Sequence, residues 1–277
     1  MLEIIPFSAE CLIDILRILI HSKYNNKKNF SKVSKKNILR ILGNGKSLSN
    51  FEIEKESNID YLVVNRHVLA DNYKIIKPSY YVLADPHFFT HKEGMSILER
   101  INNDTTWEMT LFVPYGSKTI SRMNEIMTNK NICVIGYNSQ KYKQLAPLSS
   151  YFYKHQLAMP CVQNVLVAAI MIGIMKQYQR IELYGVEHNW LNNLYVGDDN
   201  LVYLSNPHFY DKGNVKPKPQ KDIQHLEEYP LHKNIKDYAR MFESYWEIKK
   251  YLNRINSSIK IINRTKGSFI DAFEREG

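Results

Sequence analysis

The sequence predicts an α/β protein with a Rossmann-like, doubly wound and mainly parallel sheet, into which a lid is inserted in the C-terminal half. Short apolar runs recur along the chain without polar alternation, as in strands that are covered on both faces. Helix-like stretches separate several of these runs, and the first run stops at a glycine pair, as it does in nucleotide-binding domains. The predicted strands cover residues 37–42, 60–65, 80–84, 110–114, 132–136, 180–185 and 259–263.

Composition and charge limit the classes of function. The chain has 277 residues, of which 44% are hydrophobic, so it can bury a full core and is not expected to be disordered. Its formal net charge of +9 fits a nucleotide, a nucleic acid or an anionic membrane as partner, and of these we do not expect nucleic acid. The widely spaced Cys11, Cys133 and Cys161 suggest neither a disulfide framework nor a Cys-x-x-Cys metal site, and they fit a reducing cytosol.

The N-terminal region is predicted to be an amphipathic helix with a basic linker. A helix is expected over residues 8–21, with Ser8 as its N-cap, and a lysine- and asparagine-rich linker follows over 23–36. We therefore separate residues 1–36 from a main domain, 37–277. An apolar helix beside a basic segment fits an anionic membrane surface, or packing on its own domain or on a neighbouring subunit of a homo-oligomer, and the sequence leaves these alternatives open.

The N-terminus gives no indication of export. No apolar run reaches the length of a membrane span, and Glu3, Glu10 and Asp14 stand where a signal peptide would be basic and then apolar. We expect a cytoplasmic protein, with a peripheral position on the inner membrane face as the alternative.

The first glycine turn is the strongest candidate for a binding site. The first strand ends at Gly43, Asn44 and Gly45, and Ser47 follows closely. Two glycines allow positive φ and close approach of the backbone, so that amide groups can point at an anion such as a nucleotide phosphate. The third glycine of the dinucleotide fingerprint is absent, and Ser47 stands near its place. A plain tight turn is the alternative interpretation.

Polar residues also follow other predicted strands. Asn65 ends the second strand, Asp85 follows the third, and Gly185 and Glu187 follow the sixth. Side chains gathered at the carboxyl edge of a parallel sheet can bind a base and a ribose, although each residue alone is more often a strand cap. Before the sixth strand we predict a buried helix over 162–178, at whose start lie Gln163 and Asn164.

A lid is predicted at about residues 187–231, where the apolar periodicity fails. We expect it to lack regular structure, except for a hairpin turn around 198–199. After it we predict an amphipathic helix over 232–253, the last strand, and a short helix over 268–275. The lid is rich in titratable and phenolic side chains, namely His188, Tyr195, Tyr203, His208, Tyr210 and His225.

In their order, these motifs resemble the bacterial sialyltransferases of glycosyltransferase family 42, which cap lipooligosaccharides. The similarity runs from about Asn37 to the end of the chain. It rests on Gly43-Asn44-Gly45-Lys46-Ser47-Leu48, Asn65, Asp85-Pro86-His87-Phe88-Phe89, Gly185-Val186-Glu187-His188-Asn189, His232-Lys233-Asn234 and Ser268-Phe269-Ile270.

The resemblance implies a function. It implies a nucleotide-sugar-binding main domain in an inverting, metal-independent transferase of lipopolysaccharide biosynthesis, which uses no cofactor because the CMP-sugar is a co-substrate. The donor would be CMP-sialic acid or the CMP derivative of a related nonulosonic acid. The acceptor would be a hydroxyl of a bacterial surface glycan or lipid-linked oligosaccharide.

The resemblance also implies roles for individual residues. The cytidine nucleotide would be held by the glycine turn with Asn44, by Asn65 and by Asp85, where the family has an asparagine. Gln163 and Asn164 would replace a family threonine and serine, or would only cap their helix.

The implied catalytic residues lie in the lid and just after it. Tyr195 would donate to the leaving phosphate, while a second family tyrosine falls on Asn189. We expect the general base to be His232, with His208 as the alternative.

Three other functions compete with this one. A pyrophosphokinase like the archaeal pterin kinases shares the Gly-Asn-Gly-x-Ser-Leu entry, but it would need magnesium and clustered carboxylates, for which Asp85 and Glu187 are the candidates. A non-catalytic nucleotide-sugar-binding module would follow if neither His208 nor His232 faces the pocket. A nicotinamide oxidoreductase is least expected, because Asn65 stands where an acidic residue should end the second strand.

Overall fold

Seven parallel strands form the central sheet of the computed structural model, which describes residues 9–23, 34–54, 56–205, 208–211, 215–224 and 226–276. Each predicted strand is present, so the predicted α/β, Rossmann-like fold class is confirmed. The strands are β1 (Ile38–Leu42), β2 (Ile59–Val64), β3 (Tyr80–Val82), β4 (Met109–Pro114), β5 (Ile132–Tyr137), β6 (Arg180–Tyr184), β7 (Leu194–Val196), β8 (Val202–Leu204), β9 (Lys218–Pro219) and β10 (Lys260–Asn263).

The strand order creates a crevice beside β1. The order in the large sheet is β10-β6-β1-β2-β3-β4-β5, and every neighbouring pair is parallel. The chain therefore steps outward from β1 to β5 and then returns to β6 on the other side of β1, with Leu42 opposite Tyr184. In such a sheet, ligands bind where the carboxyl ends of the two diverging strands leave a crevice.

Helices cover both faces of the sheet. Alternate residues of β1 point to opposite sides, so Leu39 and Ile41 join one core and Leu42 joins the other. The helices are α1 (Ala9–His21), α2 (Tyr73–Ile76), α3 (His87–Thr90), α4 (Lys92–Asp104), α5 (Ser117–Ile126), α6 (Ala146–Lys154), α7 (Val165–Met175), α8 (Gln220–Ile223) and α9 (Leu231–Arg254), with 3-10 turns at Lys46–Asn50, His67–Leu69 and Trp190–Asn193.

Two predicted helices are confirmed. Helix α7 is apolar on all sides, and residues 165–174 are all buried against the sheet. Helix α9 covers the predicted range and buries Met241, Tyr245 and Ile248 on the same side of the sheet.

The lid contains a small sheet that the sequence analysis did not predict. Strands β7, β8 and β9 pair antiparallel, and a hairpin joins β7 to β8 through a bond from the Gly197 N–H to the Leu201 carbonyl at 2.9 Å. The predicted hairpin turn is confirmed, but the expected lack of regular structure is wrong. These strands are two or three residues long, too short for a visible alternation, yet β8 buries Val202 and Leu204. His225 lies outside the described residues.

The short helix predicted over 268–275 is also wrong. The Ser268 hydroxyl donates to the Val186 carbonyl at 2.7 Å and accepts from the Ile270 N–H at 3.2 Å, so its side chain offers the backbone an alternative to a helical turn. The chain then runs beside β10, where Ile262 forms a parallel bridge with Glu274.

Helix α1 packs on the main domain through one face. The Cys11 thiol lies 3.3 Å from the Tyr142 hydroxyl, and the Gln144 amide donates to Asp14 Oδ2 at 2.7 Å. The predicted cap, Ser8, lies outside the described residues. Of the helices in the described part of the chain, none is long and apolar enough to cross a membrane.

Candidate functional site

A cavity of about 330 Å³ opens at the carboxyl ends of β1 and β6. It lies at the crevice that the strand order creates, which is the usual position of a ligand site in an open α/β sheet. Its walls are formed by residues 43–46, 64–65, 164–166, 185–190, 193 and 208.

Glycine is required at positions 43 and 45, because the backbone and side chains that follow β6 pack closely against the turn after β1. The N–H groups of Gly43 and Gly45 donate to the carbonyls of Tyr184 and Gly185 at 2.8 and 2.9 Å. A Cβ on Gly43 would clash with the Gly185 carbonyl, and a Cβ on Gly45 would overlap Glu187 Oε2. The close backbone approach that two glycines allow is present, and the positive φ lies across the crevice at Gly185, where it is +64°.

Glu187 occupies the turn with its own negative charge. Its Oε1 accepts the Ser47 N–H at 2.6 Å, while its buried Oε2 has no hydrogen-bond partner among the described residues. Ser47 itself is exposed and lies outside the cavity lining. The amides of Gly43, Gly45 and Ser47 are therefore satisfied within the protein, and an anion at Ser47 would have to displace the carboxylate.

The second wall comes from the end of β2. Asn65 has φ of +50°, and its buried Oδ1 lacks a hydrogen-bond partner in the described structure. Asn44 donates to the Val64 carbonyl at 3.1 Å, and its Oδ1 lies 3.3 Å from His67 Nδ1. Burial lowers the pKa of His67 to about 3, so the ring is neutral and supports Asn44.

The N-terminus of α7 faces the cavity. Asn164 caps this helix by accepting the Leu166 N–H at 2.9 Å, and residues 164–166 line the cavity. The capping role predicted as an alternative is thus present. A helix N-terminus favours an anion electrostatically. Gln163, by contrast, is exposed and lies outside the lining.

Aromatic rings form another wall. His188 stacks on Trp190 with ring centroids 4.4 Å apart, and Trp190 stacks in turn on Tyr238. The Nδ1 of His188 lies 3.1 Å from the Tyr245 hydroxyl, and burial lowers the pKa of His188 to about 3. These stacked rings give the cavity an aromatic wall, against whose edge a base or a sugar can pack.

His208 brings an imidazole from the lid to the cavity. Its Nδ1 lies 3.5 Å from Asp211 Oδ2, which also accepts the His208 N–H at 2.7 Å. Burial lowers the pKa of His208, and the Asp211 charge opposes this shift only in part. The neighbouring Phe209 N–H donates to the Asn44 carbonyl at 3.1 Å, so this lid segment contacts the glycine turn directly. A half-buried imidazole of lowered pKa, oriented by a carboxylate, can accept a proton near neutral pH.

Several predicted site residues lie elsewhere. Asp85 is exposed and accepts the His87 N–H at 2.8 Å, because β3 is separated from β1 by β2. Tyr195 is 48% exposed and stacks on Tyr203 within the lid hairpin. His232 is exposed in the first turn of α9. The predicted residues that do line the cavity are Gly43, Asn44, Gly45, Asn65, Asn164, Gly185, Glu187 and His208.

Four residues at or behind this cavity carry no role predicted from the sequence. Lys46 and Asn193 line it, Trp190 forms its aromatic wall, and His67 supports Asn44 from behind. Lys46 stands inside the glycine motif, so its positive charge was the one sequence signal that could have marked it as a cavity residue. Within the described ranges, no three His, Cys, Asp or Glu side chains are grouped as a metal site would need.

A second cavity, of about 300 Å³, lies between α1, the 141–144 segment and α9. Its lining mixes lysine and arginine with glutamate and aspartate, and it contains none of the predicted site residues.

Comparisons with known proteins give one match. A scan against protein-family models finds no matching family, and a search of curated proteins finds no match. Among solved structures, the chain is similar to the sialyltransferase CstII from Campylobacter jejuni, described as being in complex with a substrate analogue, cytidine-5'-monophosphate. The TM-score is 0.40 and the identity 14%, over 86% of this chain and 84% of the other. A likeness of this size does not bear on substrate or residue roles.

Proposed function

We propose that the protein is an inverting, metal-independent glycosyltransferase that moves sialic acid or a related nonulosonic acid from a CMP-sugar to a hydroxyl of a bacterial surface glycan. The observation that supports this most is the cavity beside β1, which is lined by a helix N-terminus, by two residues that carry buried, unpartnered oxygen acceptors and by a lid imidazole. The order of the sequence motifs supports CMP as the nucleotide.

The donor would bind by matching these groups. The phosphate would lie at the N-terminus of α7 near Lys46, where the helix dipole and an ammonium group favour negative charge. Asn65 Oδ1 and Glu187 Oε2 are buried and unpartnered, and once a side-chain rotation opens them to the cavity they would accept hydrogen bonds from the exocyclic amine of cytosine or from ribose hydroxyls. The His188–Trp190 wall would pack against a flat or apolar face of the ligand.

The reaction would need one base and a stabilised leaving group. The acceptor hydroxyl oxygen attacks the anomeric carbon, the bond from that carbon to the CMP phosphate oxygen breaks, and CMP leaves with the bonding electrons. The hydroxyl proton goes to an imidazole. Of the two predicted histidines, His208 is the better candidate, since it lines the cavity and is oriented by Asp211. A role for His232 or Tyr195 would require the lid to rearrange.

The test is CMP release. The protein would be incubated with CMP-N-acetylneuraminic acid and with other CMP-nonulosonic acids, without acceptor and then with a lipooligosaccharide acceptor, each with and without EDTA. We expect release that survives EDTA and rises with acceptor, and a rise in melting temperature with CMP but not with ATP and magnesium. Stabilisation by ATP and magnesium alone, with no CMP release, would replace this proposal by the pyrophosphokinase alternative.

A further inference from the structure

The lid segment 208–211 is a turn that carries its own orienting carboxylate. The His208 N–H donates to Asp211 Oδ2 at 2.7 Å, and the Asp211 N–H donates to the His208 carbonyl at 3.1 Å. The imidazole Nδ1 lies 3.5 Å from the same carboxylate oxygen. Because these contacts all lie within the turn, they orient the imidazole relative to the turn but do not place the turn at the cavity.

Phe209 attaches this turn to the main domain. Its N–H donates to the Asn44 carbonyl at 3.1 Å, and the centroid of its ring lies 5.3 Å from that of the His67 ring. The side chain is partly buried against the core that contains Leu42 and Leu48. An aromatic ring that leaves water usually contributes more to such a contact than a single hydrogen bond does.

The groups beneath Phe209 are themselves held by the main domain. Asn44 follows β1 and donates from Nδ2 to the Val64 carbonyl at 3.1 Å. His67 begins the 3-10 turn after β2, is fully buried, and has its Nδ1 3.3 Å from Asn44 Oδ1. A side chain that docks on supported groups of this kind has a defined position, and so has the residue beside it.

The aromatic side chains of the turn pack on one another. The Tyr210 ring is parallel to that of His208 with centroids 5.2 Å apart, and it meets the Phe209 ring at a steep angle at 5.3 Å. Among the described residues, every hydrogen bond and ring contact from this turn to the main domain is made by Phe209. Loss of the Phe209 ring would therefore remove the larger part of the attachment.

We propose that Phe209 is a positioning residue that holds the His208 imidazole at the cavity. The consequence for catalysis rests on the proposed function, in which His208 is the base. Without the Phe209 ring, the turn would keep its Asp211 contacts but could move away from Asn44. A displacement of a catalytic group by about 1 Å can cost about a hundredfold in rate.

The position of His208 can be measured without any transferase reaction. In the full chain labelled with carbon-13 histidine, the resonance of His208 is identified by its loss in His208→Ala and is titrated by NMR. In the wild type, burial keeps the pKa of His208 below 6.5, and the charge of Arg66 adds to this effect while that of Asp211 opposes it. In Phe209→Ala the imidazole would enter water, so we expect its pKa to rise to 6.5 or above.

Two variants separate positioning from a general loss of packing. Phe209→Leu keeps an apolar side chain on the His67 ring and should retain the wild-type titration. Phe51→Ala is the matched control, because Phe51 is partly buried against the same core, where its ring lies 4.9 Å from that of Tyr184. It should lower the melting temperature and leave the pKa of His208 unchanged. If Phe209→Ala does not fold, Phe209→Val repeats the test with less loss of packing.

Kinetics then test the consequence for catalysis. Phe209→Ala should lower kcat by about tenfold to a hundredfold and change CMP affinity by less than about threefold. A raised pKa of His208 with unchanged kcat would support the positioning and contradict the base role of His208. If the wild type releases no CMP, the proposed function fails, and the titration still tests the positioning. An unchanged pKa of His208 in folded Phe209→Ala, or an equal rise in Phe51→Ala, would overturn the proposal.

Discussion

Glu187 Oε1 accepts the Ser47 N–H at 2.6 Å, so a carboxylate from the loop that follows β6 occupies the turn that resembles a phosphate loop. The same carboxylate fills the space that a side chain on Gly45 would need. The glycine pair therefore permits contact between two strand ends. The N-terminus of α7, which also lines the cavity, is therefore the position at which the proposed function puts the phosphate.

Gly43→Ala should destabilise the protein. A methyl group there meets the Gly185 carbonyl, and relief would require β1 and β6 to separate. Overpacking of this kind costs about 1–3 kcal/mol, which corresponds to a fall of about 3–10 °C in the melting temperature. Gly116→Ala is the comparison variant, because its Cβ would lie at an ordinary 3.5 Å from Thr119 Oγ1, and it should lose only what an alanine costs at the N-cap of α5, about 1 kcal/mol or less. Equal melting temperatures for the two variants would contradict the packing argument.

The variant Asn164→Ala tests whether Asn164 only caps α7 or also binds the ligand. Loss of the bond to the Leu166 N–H should cost about 1 kcal/mol of unfolding free energy. The exposed neighbour Gln163 makes a matched control, and Gln163→Ala should change little. Stability is measured by urea unfolding and CMP affinity by calorimetry. A variant that loses stability but keeps full CMP affinity would limit Asn164 to its capping role.

His208→Ala should abolish most transfer. Loss of a general base costs about a hundredfold to ten-thousandfold in rate, and CMP affinity should change little. His232→Ala, at an exposed position, should stay within about threefold of wild type. The opposite pattern in initial rates would exchange the two roles. If neither variant loses activity, the glycosyltransferase proposal fails.

The rate should also depend on pH through His208. Burial lowers the pKa of His208 below its ordinary 6.5, so the base is unprotonated at neutral pH, and the rate should fall only below pH 6.5. The Asp211 charge raises this pKa, so Asp211→Asn should move the acid limb to still lower pH. A rate profile in which Asp211→Asn moves the limb upward, or not at all, would exclude His208 as the titrating base.

Stability should fall in acid because of two buried histidines. Burial lowers the pKa values of His67 and His188 from 6.5 to about 3, so between these values the unfolded chain binds protons that the folded chain does not. Each contribution is complete above pH 6.5 and is lost as the pH falls towards 3, with a slope of about 1.4 kcal/mol per pH unit. In His67→Gln that slope should decrease by about this amount, as measured by urea unfolding between pH 4.5 and 7. The exposed His232→Gln is the control, and an equal slope in both variants would contradict the burial of His67.

The strands could be predicted because burial on both faces leaves nearly continuous apolar runs, as in β2, where every residue is buried. The helix α7 was predictable for the same reason. The order of strands was not visible in the sequence, and it decides which strand ends meet. Asp85 and Glu187 were candidates for one site, but β3 ends away from the crevice that β6 borders. No sequence pattern marks His67, because its role depends on the position of Asn44 in the folded protein.

The position of β1 between β2 and β6 has a consequence for synthesis. The partner of Leu42 on one side is Val63, but on the other side it is Tyr184, about 140 residues later. At typical translation speeds of about 5–20 residues per second, the second edge of β1 stays unpaired on the ribosome for roughly 7–30 s. During that time the nascent chain presents the bare hydrogen-bonding edge of an apolar strand, which is a common starting point for aggregation. A messenger RNA truncated before the β6 codons would therefore yield a chain that lacks the β6 wall of the cavity. Its unpaired β1 edge would be open to pairing with strands of other protein chains.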